Sequence, residues 1–317
     1  MRMTSLIEQA AQRLEQLRRA GAEIPMGPAS AAAEHATTPA KLTVKSTPVG
    51  SMHSPHAAPA SISTSKSVTL DLDALSAAGI VTPNAPRSYL ADQFRLIKRP
   101  LLANVRGKDA KTIKHGNLIM VTSSLAGEGK SFNSVNLAMS IAMELDNTVM
   151  LVDADVARPS VLRMLGLPAS PGLLDLLDGH TDMQSVLLKT NIDKLTILPS
   201  GTPHPKATEL LASDAMSALL DDMAARYPDR IIIFDSPPLL LTTESRVLAS
   251  QMGQIVMIVQ AEKTLQTDVQ NALSTIKNCA NINLVLNQVR DTRSDGYGYG
   301  YGYGYGYGEA PGGNSKA

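Results

Sequence analysis

Three short stretches of this chain hold the residue types that handle phosphate. The first is Ser124-Leu125-Ala126-Gly127-Glu128-Gly129-Lys130-Ser131-Phe132. Gly127 and Gly129 let backbone N–H groups turn inward around an anion, Lys130 can reach terminal phosphates, and Ser131 offers a hydroxyl to Mg²⁺ at a helix start. An apolar LIMVT run precedes this stretch and a helical FNSVNLAMSIAMEL follows it, the strand, loop, helix order of a phosphate-binding loop. Serine stands at position 124, where the usual pattern begins with glycine. The second stretch, Asp153-Ala154-Asp155, follows the apolar VMLV. One carboxylate there can hold Mg²⁺ through water while the other takes a proton from an incoming hydroxyl, a division of labour that phosphoryl transfer uses. The third, IIIFDSPP, ends another apolar run on Asp235. Three acidic positions are thus expected to converge on one cation.

A fourth feature could receive the phosphate. Six of the eight tyrosines, Tyr297, Tyr299, Tyr301, Tyr303, Tyr305 and Tyr307, alternate with glycine near the C-terminus. Glycine at every second position opposes a stable helix or packed core. From Arg290 to Tyr305 the chain can extend about 50 Å at most, enough to reach an active site while staying tethered at millimolar effective concentration.

These residues need a scaffold that brings strand ends together. From Ser88 to Arg290 short aliphatic runs alternate with helical stretches, which predicts an α/β fold with a mostly parallel, twisted sheet flanked by helices. Strands are expected at Leu118–Thr122, Thr148–Asp153, Leu195–Pro199, Arg230–Asp235, Gln254–Gln260 and Ile282–Gln288. Helices are expected at Lys130–Glu144, Ala207–Arg226 and Leu265–Asn278. Ahead of this domain (68–290), residues 1–22 read as an amphipathic helix that either docks a partner or packs on its own domain. Residues 23–67 are rich in Ala, Ser, Thr and Pro and read as a disordered linker. Residues 291–317 read as a flexible tail.

Composition narrows the function classes. Lys+Arg and Asp+Glu both number 29, so bulk charge gives no reason to expect nucleic acid. A single cysteine, Cys279, excludes an intrachain disulfide, a redox pair or a cysteine-ligated cluster, and fits a reducing cytoplasm. The first residues carry no secretory pattern. The apolar runs fall short of the ~20 residues that a membrane helix needs, so membrane association is expected to be peripheral, through a partner.

The trio SSLAGEGKS, VMLVDADVARP and IIIFDSPP resembles the Walker A, Walker A′ and Walker B set of bacterial tyrosine kinases, which build a protein kinase on a P-loop NTPase scaffold. PGLLDLLDG and LPSGTPHPKATELLAS are similar to the same family. The stretch LDLDALSAAGIVTPNAPRSYLADQFRLIKRPLL resembles its exosortase-associated branch, linked to exopolysaccharide export. The resemblance implies an ATP- and Mg²⁺-dependent tyrosine autokinase. In it Lys130 binds phosphate, Ser131, Asp155 and Asp235 serve the metal, Asp153 is the base, Asn287 contacts adenine and the six tail tyrosines are phosphoacceptors. It further implies a homo-oligomer, a transmembrane chain-length-determinant (polysaccharide co-polymerase) activator at the inner membrane and a protein-tyrosine phosphatase as partners.

Two positions depart from the family pattern. Ala157 stands where arginine is usual, with Arg158 next, and the self-association motif Glu-x-x-Arg-x-x-Arg is represented by Asp92-x-x-Arg95-x-x-Lys98. The competing reading is a partitioning or cell-positioning switch ATPase of the MinD/ParA kind without kinase activity. Such a protein would carry a second lysine at the position of Leu125.

Overall fold

The computed structural model describes residues 66–106, 113–226, 229–279 and 281–290. The expected N-terminal helix, all but the last two residues of the expected linker, and the tyrosine tail lie outside them.

Among the described residues eight strands form one sheet: β1 (Lys66–Ser67), β2 (Leu118–Ser123), β3 (Thr148–Asp153), β4 (Leu188–Lys189), β5 (Leu195–Leu198), β6 (Arg230–Asp235), β7 (Gln254–Gln260) and β8 (Ile282–Asn287). Their order is β1-β4-β5-β3-β6-β2-β7-β8, and only the β4–β5 pair is antiparallel. The six strands expected from the apolar runs are all present. β1 and β4 were not expected, because two residues cannot display a periodic pattern. Lys66–Ser67, at the end of the expected linker, already pair with Leu188–Lys189.

The central strands are buried on both faces, which is why they read as unbroken apolar runs. In β2, Ile119 and Val121 enter one core while Leu118 and Met120 enter the other. The first core lies beneath α1 (Leu72–Ala77), α2 (Tyr89–Arg106) and α3 (Lys130–Ala142). α3 is buried along almost its whole length, including Asn133, Ser134, Asn136 and Ser140. The short α4 (Val161–Met164) adds to the first core, and the second core lies beneath α5 (Leu173–Leu177), α6 (Met183–Val186), α7 (Ala207–Leu211), α8 (Asp214–Arg226), α9 (Glu244–Gln251) and α10 (Gln266–Thr275). The single helix expected over Ala207–Arg226 is thus two, broken at Ala212–Ser213, where the Ser213 hydroxyl accepts from the Met216 N–H and starts the second. α10 ends three residues short of Asn278, and Cys279 lies beyond it and is half-buried.

The order places β6 between β3 and β2. Asp235 is consequently opposite Asp153 on one side and Val121 on the other, three residues before the phosphate loop begins. β7 lies on the far side of β2, so the chain crosses from β2 to one side of the sheet for β3 and later from β6 over β2 to the other side for β7. The crevice at such a reversal, beyond the strand C-termini, is where open α/β sheets bind ligands.

Candidate active site

The phosphate loop runs from Ser124 to Gly129 and ends directly in α3. Gly129 closes it at φ 95°, and a Cβ at this position would lie 2.2 Å from Asn287 Nδ2. Only glycine satisfies both the left-handed backbone and that approach. Its carbonyl starts the helix by accepting from the Asn133 N–H at 3.0 Å. Ala126 and Gly127 are exposed, whereas Lys130 is 8 % exposed, its ammonium 3.9 Å from Asp155 Oδ2.

Glu128 takes a role the spacing did not disclose. Its buried carboxylate accepts the Leu125 N–H at 2.9 Å through one oxygen and the Thr264 hydroxyl through the other. The loop is thereby tied to the β7–α10 connection. Asn287 ties it a second time, Nδ2 donating to the Glu128 carbonyl at 2.9 Å. The Asn287 amide, expected to contact adenine, thus serves first to brace the loop. Phe132 turns away from the site and packs partly buried against the first core, so it can offer phosphate only its backbone.

The acidic residues gather as the register requires. Asp153 Oδ2 accepts the Ser160 and Val161 N–H groups, each at 3.0 Å, while Oδ1 is buried without a hydrogen-bond partner. Asp235 Oδ1 accepts the Ser134 hydroxyl at 3.0 Å, and Oδ2 is likewise buried and unpartnered. The Ser124 hydroxyl is also buried and unpartnered. Such atoms are costly unless something supplies their missing partners. Ser131 meets the Ser160 hydroxyl at 2.7 Å.

Burial, reinforced by the facing Asp235, pushes the Asp153 carboxyl up to about 7 against the two backbone N–H bonds. Burial also raises Asp235 to about 6, opposed by the Ser131 hydroxyl, Lys130 and the Ser134 hydroxyl. Asp155 is raised by burial and held back by Lys130 and the Arg158 region. Among the described residues, no group of three His, Cys, Asp or Glu side chains is placed to hold a metal by itself. The register brings Asp153 and Asp235 opposite each other, and Lys130 lies beside Asp155. Serine and two carboxylates are hard oxygen donors of the kind that magnesium takes.

Sequence spacing missed Ser134, Ser160, Thr264 and Glu244. Glu244 is 7 % exposed at the start of α9, and its charge bears on Asp155. A legible signal existed for Ser134: it lies four residues after Lys130 in a helix whose polar residues are too many for its aliphatic surroundings.

The self-association motif is only partly available. Lys98 is 5 % exposed, its ammonium 2.6 Å from Glu144 Oε1 and 2.5 Å from the Ser140 carbonyl. It joins α2 to α3 within the chain. Asp92 and Arg95 pair with each other on the accessible face of α2. Among the described residues no helix is long and apolar enough to cross a membrane.

Comparison with known proteins agrees with this geometry. A family model described as ParA: NUBPL iron-transfer P-loop NTPase matches residues 114–285. With Cys279 as its only cysteine, this chain has no thiolate pair for iron transfer. The tyrosine-protein kinase YwqD of Bacillus subtilis (strain 168) is 28% identical over 200 residues, covering 63% of this chain and 81% of that protein. The tyrosine-protein kinase ptk of Acinetobacter johnsonii is 33% identical over 183 residues, 57% of this chain but 24% of that longer protein. The crystal structure of the VpsO kinase domain superposes with a TM-score of 0.53 at 27% identity, covering 64% of this chain and 100% of that domain. Matched over more than half its length by the P-loop NTPase model, and similar to bacterial tyrosine-protein kinases in sequence and in solved structure, the chain belongs to the P-loop NTPases and, among them, to the bacterial tyrosine-protein kinases.

Proposed function

We propose that this kinase is an autokinase that transfers the γ-phosphoryl group of ATP to its own Tyr297, Tyr299, Tyr301, Tyr303, Tyr305 and Tyr307. The observation that carries the reading is the free oxygen of Asp153. One carboxylate oxygen is locked by two backbone donors, and the other, Oδ1, is buried and unpartnered at the C-terminal end of β3. A general base requires this combination of fixed orientation and an open acceptor.

In this reading Asp153 Oδ1 takes the proton of the tyrosine hydroxyl. The phenolic oxygen forms a bond to the γ-phosphorus as the bond to the β–γ bridging oxygen breaks, and ADP leaves. Lys130 stabilises the charge that grows on the terminal phosphates, and the loop N–H groups hold them in line. Ser131, Asp155 and Asp235 would hold Mg²⁺, which when bound supplies charge neutralisation for the β- and γ-oxygens. Asn287, fixed against the loop, would border the base.

The activity is proposed to regulate exopolysaccharide polymerisation or export, in the exosortase-associated branch. A transmembrane chain-length determinant is proposed to bring the kinase to the inner membrane and to activate it. A homo-oligomer in which tails reach neighbouring sites, and a phosphatase that resets them, complete the proposal. The test is co-expression with and without the cognate membrane activator, read by phosphotyrosine antibody. Labelling that requires Asp153 and the tail tyrosines supports the autokinase. ATP hydrolysis with no phosphotyrosine in either case would favour a switch ATPase.

A further inference from the structure

β8 is the last strand of the sheet and, among the described residues, nothing pairs with its outer edge. It is also unusually greasy for an edge. Leu284 is 56 % exposed and Leu286 59 %, and Val289, just beyond the strand, is 60 % exposed. Leu284 and Leu286 are opposite Met257 and Val259 of β7, so both project on one face of the sheet. Edges of this kind are normally blunted by charge, by proline or by a covering segment. Nothing of the sort occurs in the INLVLN sequence.

The chain that continues from this strand carries a matching pattern. Residues 288–295 separate β8 from GYGYGYGYGYGYG, and Gln288 at φ 58° starts the departure from the strand direction. In an extended conformation, alternation with period two puts all six tyrosine rings on one face and all the glycines on the other. The spacing of Leu284 and Leu286 is the same i, i+2 spacing. A returning antiparallel strand would set tyrosine rings on the leucines, the aromatic-on-aliphatic pairing that sheets favour across strands. Its glycine face would lie on the side of Asn283, Val285 and Asn287, where it adds no bulk. Six residues of β8 span about 20 Å, well within the reach of the thirteen-residue repeat.

We propose that the outer edge of β8, with the Leu284–Leu286 strip, is the docking site of the chain's own Gly-Tyr tail, which adds to the sheet as a ninth, antiparallel strand. Docking shelters the tyrosines, and any tyrosine must leave the edge before it can enter an active site. The inference does not depend on catalysis, because docking precedes nucleotide.

The test is backbone hydrogen exchange on the full chain, without nucleotide and at a concentration where light scattering reports a monomer. In the wild type, a subset of amides in 296–308 is expected to exchange at least about 10-fold more slowly than free-chain rates. The double variant Leu284→Lys, Leu286→Lys is expected to return them to free-chain rates with an unchanged melting temperature, since both side chains are exposed. Replacing the six tail tyrosines by serine is expected to do the same. Free-chain exchange in the wild type would overturn the proposal. So would protection that survives the double variant, or protection that appears only when two copies associate through their β8 edges.

Discussion

Asp153 and Asp235 are directly opposite each other across β3 and β6, and each keeps one buried carboxylate oxygen without a hydrogen-bond partner. Two like charges in a buried place weaken the fold, and Ser160, Val161, Ser134 and the nearby Lys130 only partly offset them. The arrangement is understandable as a site in which a cation and a nucleotide supply the remaining partners.

A pH dependence follows for the nucleotide-free, metal-free protein. The folded Asp153 carboxyl, at about 7, is above its ordinary 3.8. Its contribution to stability is therefore fully present below pH ~4 and is lost as the pH rises through about 7. Asp153→Asn is expected to be more stable than wild type by roughly 1–3 kcal/mol at pH 8 and nearly equal to it at pH 4. Urea denaturation at the two pH values checks the sign. The same variant should lose about 10²- to 10⁴-fold in phosphotransfer, the usual worth of a general base.

Ser134→Ala removes the hydroxyl that donates to Asp235 Oδ1 and weakens the support of that buried carboxylate. A loss of about 1–3 kcal/mol is expected. Added Mg²⁺ with nucleotide should recover part of it, which thermal melts with and without ligand would reveal.

Glu128 makes its contribution through loop shape. Glu128→Ala frees both the Leu125 N–H and the Thr264 hydroxyl. The expected result is a rise in KM for ATP of about tenfold, of the order of one lost charge-assisted hydrogen bond. Thr264→Val should act in the same direction. In a double-mutant cycle the two effects are expected to be less than additive, because both act on one contact.

Lys98 and Arg95 should separate fold from assembly. Lys98→Ala removes a buried ammonium held by Glu144 and the Ser140 carbonyl, and is expected to cost about 1–3 kcal/mol with no specific change of oligomer. Arg95→Ala, on the accessible face of α2, should leave the melting temperature within a degree or two while lowering the oligomer mass in light scattering. The opposite pattern would return Lys98 to the self-association surface.

Much of the scaffold was legible because doubly buried parallel strands write themselves as unbroken apolar runs. LIMVT, VMLVD, IIIFD and QIVMIVQ are all such strands. The phosphate loop was legible because glycine, lysine and serine must occur in that order between a strand and a helix. What stayed hidden was set by tertiary pairing. β1 and β4 are two residues each, and their pairing depends on a hairpin fold-back that leaves no period in the sequence. Lys98 reads as part of the self-association motif, yet its partner, Glu144, lies 46 positions away, just past the end of α3. The tie from Glu128 to Thr264 spans 136 positions, and no local pattern announces a contact of that kind.

The most direct test of the central claim is to map phosphate by mass spectrometry on protein incubated with ATP and Mg²⁺ and its membrane activator, in wild type, Lys130→Met and Asp153→Asn. Phosphotyrosine confined to residues 297–307 in wild type, and absent from both variants while they remain folded, is the predicted result. Phosphate on those tyrosines in Asp153→Asn at the wild-type rate would contradict the assigned base, and a wild-type tail without phosphate would contradict the autokinase itself.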